Sequence, residues 1–313
     1  MVKNLIKINS LLILTSFLAC TQIDPQFSQI GSSILSSTGF VSGSQVDSAF
    51  LAGSKLAKSA ETLDDEQEYY LGRSVSAMIL SRYKPLRNKD AVDYVNKIGL
   101  ILASHSEKPT TFNGYRFMIL DTDEINAVSA PGGYVFLTSG FVKILPDEDA
   151  LASVLAHEIA HIIKGHGMSA ISKSNLTGAL LIIGKEAAAS QAGGYAGELT
   201  NIFGDSVNQV FETLVTNGFS RSQEYDADTY AAELLLKAGY NSNSLRVALE
   251  NLENTGAADK SGGWSSTHPK PSNRLSRLKD RTSKDASASL STQASNMQEI
   301  RAKRFQNAMQ KLL

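Results

Sequence analysis

The chain is short of several things at once: it has a single cysteine, one tryptophan and five histidines in 313 residues. One thiol excludes an internal disulfide, so the fold must rest on core packing and on any ion it binds. Charge of one sign is also missing. Thirty basic residues face 31 acidic ones, a net charge of −1, which gives no reason to expect nucleic acid or a broadly anionic surface as a partner. No apolar run reaches the roughly 20 residues that a membrane-spanning helix needs. What remains is an ordinary globular composition, 42% hydrophobic and 19% charged, with room for one large domain or two small ones.

The N-terminus carries a signal of its own. Lys3 and Lys7 precede the apolar residues 11–18, and Ala19 and Cys20 follow, the order of an export signal. Cys20 directly after Ala19 resembles the bacterial lipobox, in which the thiol is acylated and becomes the mature N-terminus, although Phe17 and Leu18 fit that box less well. A plain secretory signal with a bystander cysteine is the alternative. Residues 1–19 thus read as a lipoprotein signal peptide. Residues 20–62 read as a lipid-anchored flexible spacer, since ten of the forty residues 21–60 are serine. Thr21 after Cys20 leans toward the outer membrane by analogy with known lipoproteins, with the body facing the periplasm.

The folded body is expected over residues 63–281. Asp64, Asp65, Glu66 and Glu68 suit the start of a helix running to about Arg82, and Val92, Val95, Ile98 and either Ile101 or Leu102 give a second helix over 89–104. Residues 114–121, 125–130 and 134–138 read as strands, the last two separated by Pro131, Gly132 and Gly133. Pro146 and Asp147 open a helix whose apolar stripe runs from Leu151 to Ile163 and stops near Gly165 or Gly167. Residues 168–199, rich in Ala, Gly and Ser, read as a mobile loop or helical lid. One long helical region follows, its last part covering about 222–238 with Gly239 as stop, and then a short helix over 244–254. A polar linker (282–295) leads to a C-terminal amphipathic helix (296–313) with Met297, Ile300, Phe305, Met309 and Leu312; docking on the main domain is its blander reading. The fold class expected is α+β, mostly helical, with a small antiparallel or mixed sheet.

The chemistry sits in His157-Glu158-Ile159-Ala160-His161, an HExxH pattern on a helix that periodicity supports independently. Residues four apart return to nearly the same helix face, so both imidazoles can reach one ion while Glu158 points to its side. A structural histidine pair is the bland alternative, but two His and a Glu on so apolar a helix are costly unless something pairs with them. A catalytic zinc takes three protein ligands and leaves one position open. For the third, Cys20 is committed to the anchor, Gly167 stands where an HExxHxxGxxH pattern needs histidine, and His166 is one position early. Glu224 is better placed, because Glu224 and Asp228 share one face at the start of a helix. His105 and His166 read as structural or exposed.

Four features in order, HEIAH, the later Glu224-Tyr225-Asp226-Ala227-Asp228, Asn126-Ala127 with Pro131-Gly132-Gly133, and His268-Pro269 with Arg274-Leu275, resemble the HtpX and CAAX prenyl protease family of zinc metallopeptidases. The resemblance covers about residues 64–281. It is nearest to the periplasmic branch of BepA-like and LoiP-like lipoproteins, whose members do without the spans of the membrane-embedded ones. It implies a zincin-type fold, Zn2+ held by His157, His161 and Glu224, Asp228 as an acid behind the ligands, and the strand 134–138 as the edge on which substrate lies.

Glu158 would then be the general base, and His268 either a donor to the oxyanion or a cap on the zinc. Arg274 would pair with Asp228 or orient the second ligand helix, an ordinary surface arginine being the alternative. The expected function is a zinc-dependent endopeptidase of the bacterial envelope acting on unfolded or misassembled proteins. A latent or chaperone-like zinc-binding lipoprotein is the second reading.

Overall fold

The computed structural model describes residues 63–170, 195–256, 264–285, 292–310 and 312. The chain falls into two units, and the one built from residues 64–172 and 203–313 holds every site residue named above except Cys20. Of the other, residues 1–63 and 173–202, only Leu63 and the first turns of one helix are described. The readings made for Cys20, the signal peptide, the spacer and most of 168–199 lie outside the described residues.

Helix α1 (Asp65–Arg82) starts at a capping box: Asp64 accepts from the Gln67 amide at 2.8 Å and Gln67 returns to the Asp64 amide at 3.0 Å. It crosses the turn Pro131–Gly133 so closely that a Cβ on Gly72 would lie 1.8 Å from the Pro131 carbonyl oxygen, so only glycine fits. Helix α2 (Lys89–Ser104), capped by Asn88, buries Ala91, Val95, Ile98 and Leu102; Ile101 is exposed, so Leu102 completes the stripe.

Strands β1 (Arg116–Leu120), β2 (Ala127–Ala130) and β3 (Tyr134–Thr138) form a mixed sheet in the order β1-β3-β2. β2 and β3 pair antiparallel across the Pro131–Gly133 turn, and β1 pairs parallel to β3 from Arg116 with Tyr134 to Leu120 with Thr138. This corrects one expectation. β3 is the central strand with both edges paired, not an open edge; the outer strand packed against the HExxH helix is β2. A short helix, α3 (Ser139–Ile144), was not expected, because six residues with Gly140 inside give too little periodicity to read.

Helix α4 (Glu148–Ile163) begins at Asp147, whose side chain accepts from the Ala150 amide at 2.8 Å. Every residue from Glu148 to Ile162 is buried, as for a helix enclosed on all sides rather than one with a single apolar face. Helix α5 (Tyr195–Glu212) runs into a π turn (Thr213–Asn217) and ends at Gly218, which breaks the expected long helix. Gly218 has φ +72°, and a Cβ there would sit 2.1 Å from the Thr267 carbonyl oxygen.

Helices α6 (Arg221–Lys237), α7 (Ser244–Asn254), α8 (Trp264–Thr267), α9 (Pro271–Asp285) and α10 (Thr292–Met309) follow, so helix occupies part of the stretch read as a linker. α4 is enclosed by α2, β2, α6, α7 and α10. α10 docks through Phe305 and Met309, both in the core, and through Arg301 on Asp149 (2.9 Å) and Arg304 on Glu148, while Met297 and Ile300 stay exposed. Among the described residues no helix is long and apolar enough to cross a membrane.

Candidate metal centre

The C-terminal half of α4 and the first turns of α6 pack face to face, and that contact builds the centre. α4 supplies His157 and His161, whose Nε2 atoms lie 3.0 Å apart. α6 supplies Glu224, with Oε2 at 3.5 Å from His157 Nε2 and Oε1 at 3.5 Å from His161 Nε2. His268, directly after α8, adds Nδ1 at 2.8 Å from Glu224 Oε1. The four donor sets lie within 4.8 Å of one another and all four residues are buried.

A donor set of two imidazoles and a carboxylate suits zinc, and ligand bonds of about 2.0–2.1 Å set tetrahedral donors roughly 3.4 Å apart. The observed 3.0, 3.5 and 3.5 Å match that spacing with little adjustment. Unpaired atoms point the same way. Both oxygens of Glu158 and Oε2 of Glu224 are buried without a hydrogen-bond partner in the described structure. Such groups are costly unless an ion, water or substrate meets them, so these residues fit a bound metal.

Behind the candidate donors each imidazole has its own support. His157 Nδ1 lies 3.0 Å from Asp228 Oδ1. Asp228 is gripped by Arg274, whose Nε donates to Oδ2 at 2.9 Å and whose Nη2 donates to Oδ1. Arg274 is fully buried, which rules out the surface-arginine alternative, and its Nη1 comes to 3.5 Å from Glu224 Oε2. His161 stacks on Phe219 with ring centroids 4.2 Å apart, and its Nδ1 meets Nδ1 of His166 at 2.8 Å. Trp264 stacks on His268 at 3.9 Å.

The segment carrying His268 is tied to the sheet: the Trp264 amide donates to the Ile125 carbonyl (2.8 Å) and Thr267 Oγ1 to Asn126 Oδ1 (3.2 Å). Asn126-Ala127 and His268-Pro269, two separate motifs in the sequence, are thus parts of one contact.

Charges in the cluster are strongly coupled. Burial alone would raise the Glu224 carboxyl, but His268, His157 and Arg274 hold it well below the usual carboxylate range. Burial and Arg274 lower the His157 imidazole, yet Asp228 and Glu224 outweigh them and lift it to about 9. For His161 burial and the neighbouring His157 dominate, and it lies well below the ordinary histidine value. Two imidazoles with Nε2 atoms 3.0 Å apart repel each other when both are cationic, which adds to burial in driving them apart.

The structure therefore brings His157, His161, Glu224, Asp228, His268 and Arg274 together, with Glu158 next to His157 on α4 and near enough to Arg274 to act on its charge. It also decides between the two readings of His166, structural or exposed, in favour of a buried position, and adds Phe219 and Trp264, which the sequence reading left out. For His166 a local signal existed, since Gly165 ends the helix and turns the chain back. The two aromatics had none, because their partners are remote in sequence. His105 is exposed at the end of α2, with Nδ1 2.8 Å from the Ile101 carbonyl oxygen.

Residues 91–282 match peptidase family M48. The chain is 26% identical over 249 residues, 78% of its length, to the beta-barrel assembly-enhancing protease of Escherichia coli strain K12. It is 28% identical over 162 residues to metalloprotease LoiP of the same strain, covering 52% of this chain and 60% of that one. With the mitochondrial metalloendopeptidase OMA1 of Schizosaccharomyces pombe it shares 29% identity over 160 residues, 50% of this chain and 43% of the relative. It spans about half (49%) of the length of the first of these.

Proposed function

Because the chain belongs to peptidase family M48, we propose that it is a zinc-dependent endopeptidase that cleaves misfolded or misassembled proteins of a bacterial envelope. The ion would be held by His157, His161 and Glu224. The observation that carries this reading is Glu158, a buried carboxylate next to His157 on α4 with neither oxygen hydrogen-bonded among the described residues. A zinc ion there, when bound, polarises the scissile carbonyl and eases ionisation of water near neutral pH. Glu158 takes the proton from the attacking water and returns it to the leaving amine, which needs an oxygen with no fixed partner. Asp228 and Arg274 hold His157 in place, and Arg274 also sets positive charge behind Glu224.

Substrate would add as a strand along β2, the outer strand beside α4. Ser129 there keeps a buried, unpartnered hydroxyl in a cleft that His161 also lines. The lipid anchor at Cys20 would hold the domain at the membrane, facing the periplasm, with the outer membrane favoured by Thr21. Relatives named for beta-barrel assembly support an envelope substrate.

One observation favours a second reading. His268 hydrogen-bonds Glu224 at 2.8 Å and lies among the ligand atoms, where it caps the centre instead of waiting for an oxyanion. In this arrangement the protease would be latent until the 264–268 segment moves.

The test is cleavage of casein by the soluble form, by Glu158→Gln and after chelation. We expect activity only in the metal-loaded wild type, and a gain in His268→Ala if the cap limits turnover. Equal cleavage by all three preparations would overturn the mechanism.

A further inference from the structure

His157 and His161 leave the same helix with their Nε2 atoms side by side, but their outer nitrogens face different chemistry. His157 Nδ1 meets a carboxylate, Asp228. His161 Nδ1 meets another imidazole, His166, at 2.8 Å. The backbone makes this contact. Gly165 takes φ +63° at the end of α4, the chain reverses, and the His166 amide donates to the His161 carbonyl at 3.0 Å.

His166 is itself buried and pinned. Ser169 Oγ donates to its carbonyl at 2.6 Å, Gln223 Nε2 donates to Ser169 Oγ at 2.8 Å, and Asp226 Oδ2 lies 3.8 Å from the outward-facing Nε2.

To offer Nε2 to an ion, His161 must carry its hydrogen on Nδ1, and that N–H needs an acceptor. Among the described residues the hydrogen-bond partner of His161 Nδ1 is His166 Nδ1. His166 accepts only if its own hydrogen sits on Nε2, the nitrogen facing Asp226. We propose that His166 is a positioning residue: with Asp226 behind it, it fixes the tautomer and the ring plane of His161 and so strengthens the hold on the metal. The arrangement extends by one imidazole the carboxylate support that His157 receives directly. This inference rests on the reading of His161 as a metal ligand.

The experiment measures zinc affinity of the full chain by competition with a chromophoric chelator, together with the melting temperature of the metal-free protein. His166→Leu keeps much of the volume and removes the acceptor, so affinity should fall roughly 10- to 100-fold. His166→Asn, whose Oδ1 can accept, should recover most of it. His166→Leu binding zinc as tightly as the wild type would overturn the inference.

His161→Ala separates the two levels: if that variant also binds normally, the ligand assignment itself fails. A second measurement needs no variant. In the zinc-loaded wild type, nitrogen-resolved NMR should show the His161 Nδ1–H coupled across the hydrogen bond to the second ring nitrogen. An uncoupled Nδ1–H in fast exchange with water would refute the contact even if the leucine variant does not fold.

Discussion

Glu148 and Glu158 lie ten residues apart on α4, both fully buried, and they could hardly be treated more differently. Glu148, at the first turn, accepts from Tyr94, from Tyr240 at 3.0 Å and from both arms of Arg304. Among the described residues Glu158 accepts from nothing. Burial of a charge is common to both, so burial alone does not mark a working group. Satisfaction separates them: the acid with donors ties α2, the α6–α7 loop and α10 to the helix, and the acid without them is the one for which we propose a proton-transfer role.

Substitution tests that contrast. Glu158→Gln should lower peptide cleavage by about 10³-fold, with the melting temperature of the metal-free protein unchanged or slightly raised, since a buried carboxyl with no hydrogen-bond partner among the described residues is replaced. Kinetic assays beside calorimetry would show it; a large loss of stability would mean that Glu158 has structural partners after all.

Next in size is Phe305→Ala on α10, where deleting a buried ring should cost about 3 kcal/mol by denaturant titration. A cost near zero would show that α10 only rests on the domain. Glu148→Gln should cost about 2 kcal/mol, because Arg304 keeps access to water and a neutral amide can still accept from the phenols. Its cleavage rate well below the melting transition should stay near wild type.

The smallest effect is in pH. Burial opposes the Glu148 anion, but Arg304 and Tyr94 outweigh it and Tyr240 adds to them, so its folded pKa is depressed. A depressed carboxyl adds stability above its unfolded value, about 4.3, and loses it as pH falls through the folded one. The stability gap between wild type and Glu148→Gln should thus be flat above about pH 5 and narrow below about pH 4. A gap that widens in acid would reverse the assignment.

The same pair shows what the sequence could reveal. Glu158 was legible because HExxH lies within one turn of one helix, where spacing fixes geometry. Glu224 and Asp228 were legible as an i, i+4 pair, and the family resemblance named their part. Glu148 has no such local signature, since its donors come from residues 94, 240 and 304.

Apolar spacing in α10 picked out Phe305 and Met309 correctly but also Met297 and Ile300, which face water, because docking covers only part of that stripe. The central place of β3 was hidden for a related reason: its parallel partner β1 joins through a long-range pairing with no local signature. His166 escaped because its part depends on a left-handed turn at Gly165.

Everything proposed for this chain depends on one ion being gripped from two helices, α4 and α6, with Glu158 unengaged beside it. Anomalous diffraction at the zinc edge from metal-loaded crystals tests this most directly. A single strong peak is expected within bonding distance of His157 Nε2, His161 Nε2 and a Glu224 oxygen, and none at Glu158. A peak that leaves Glu224 paired only with Arg274, or that bonds Glu158, would contradict it.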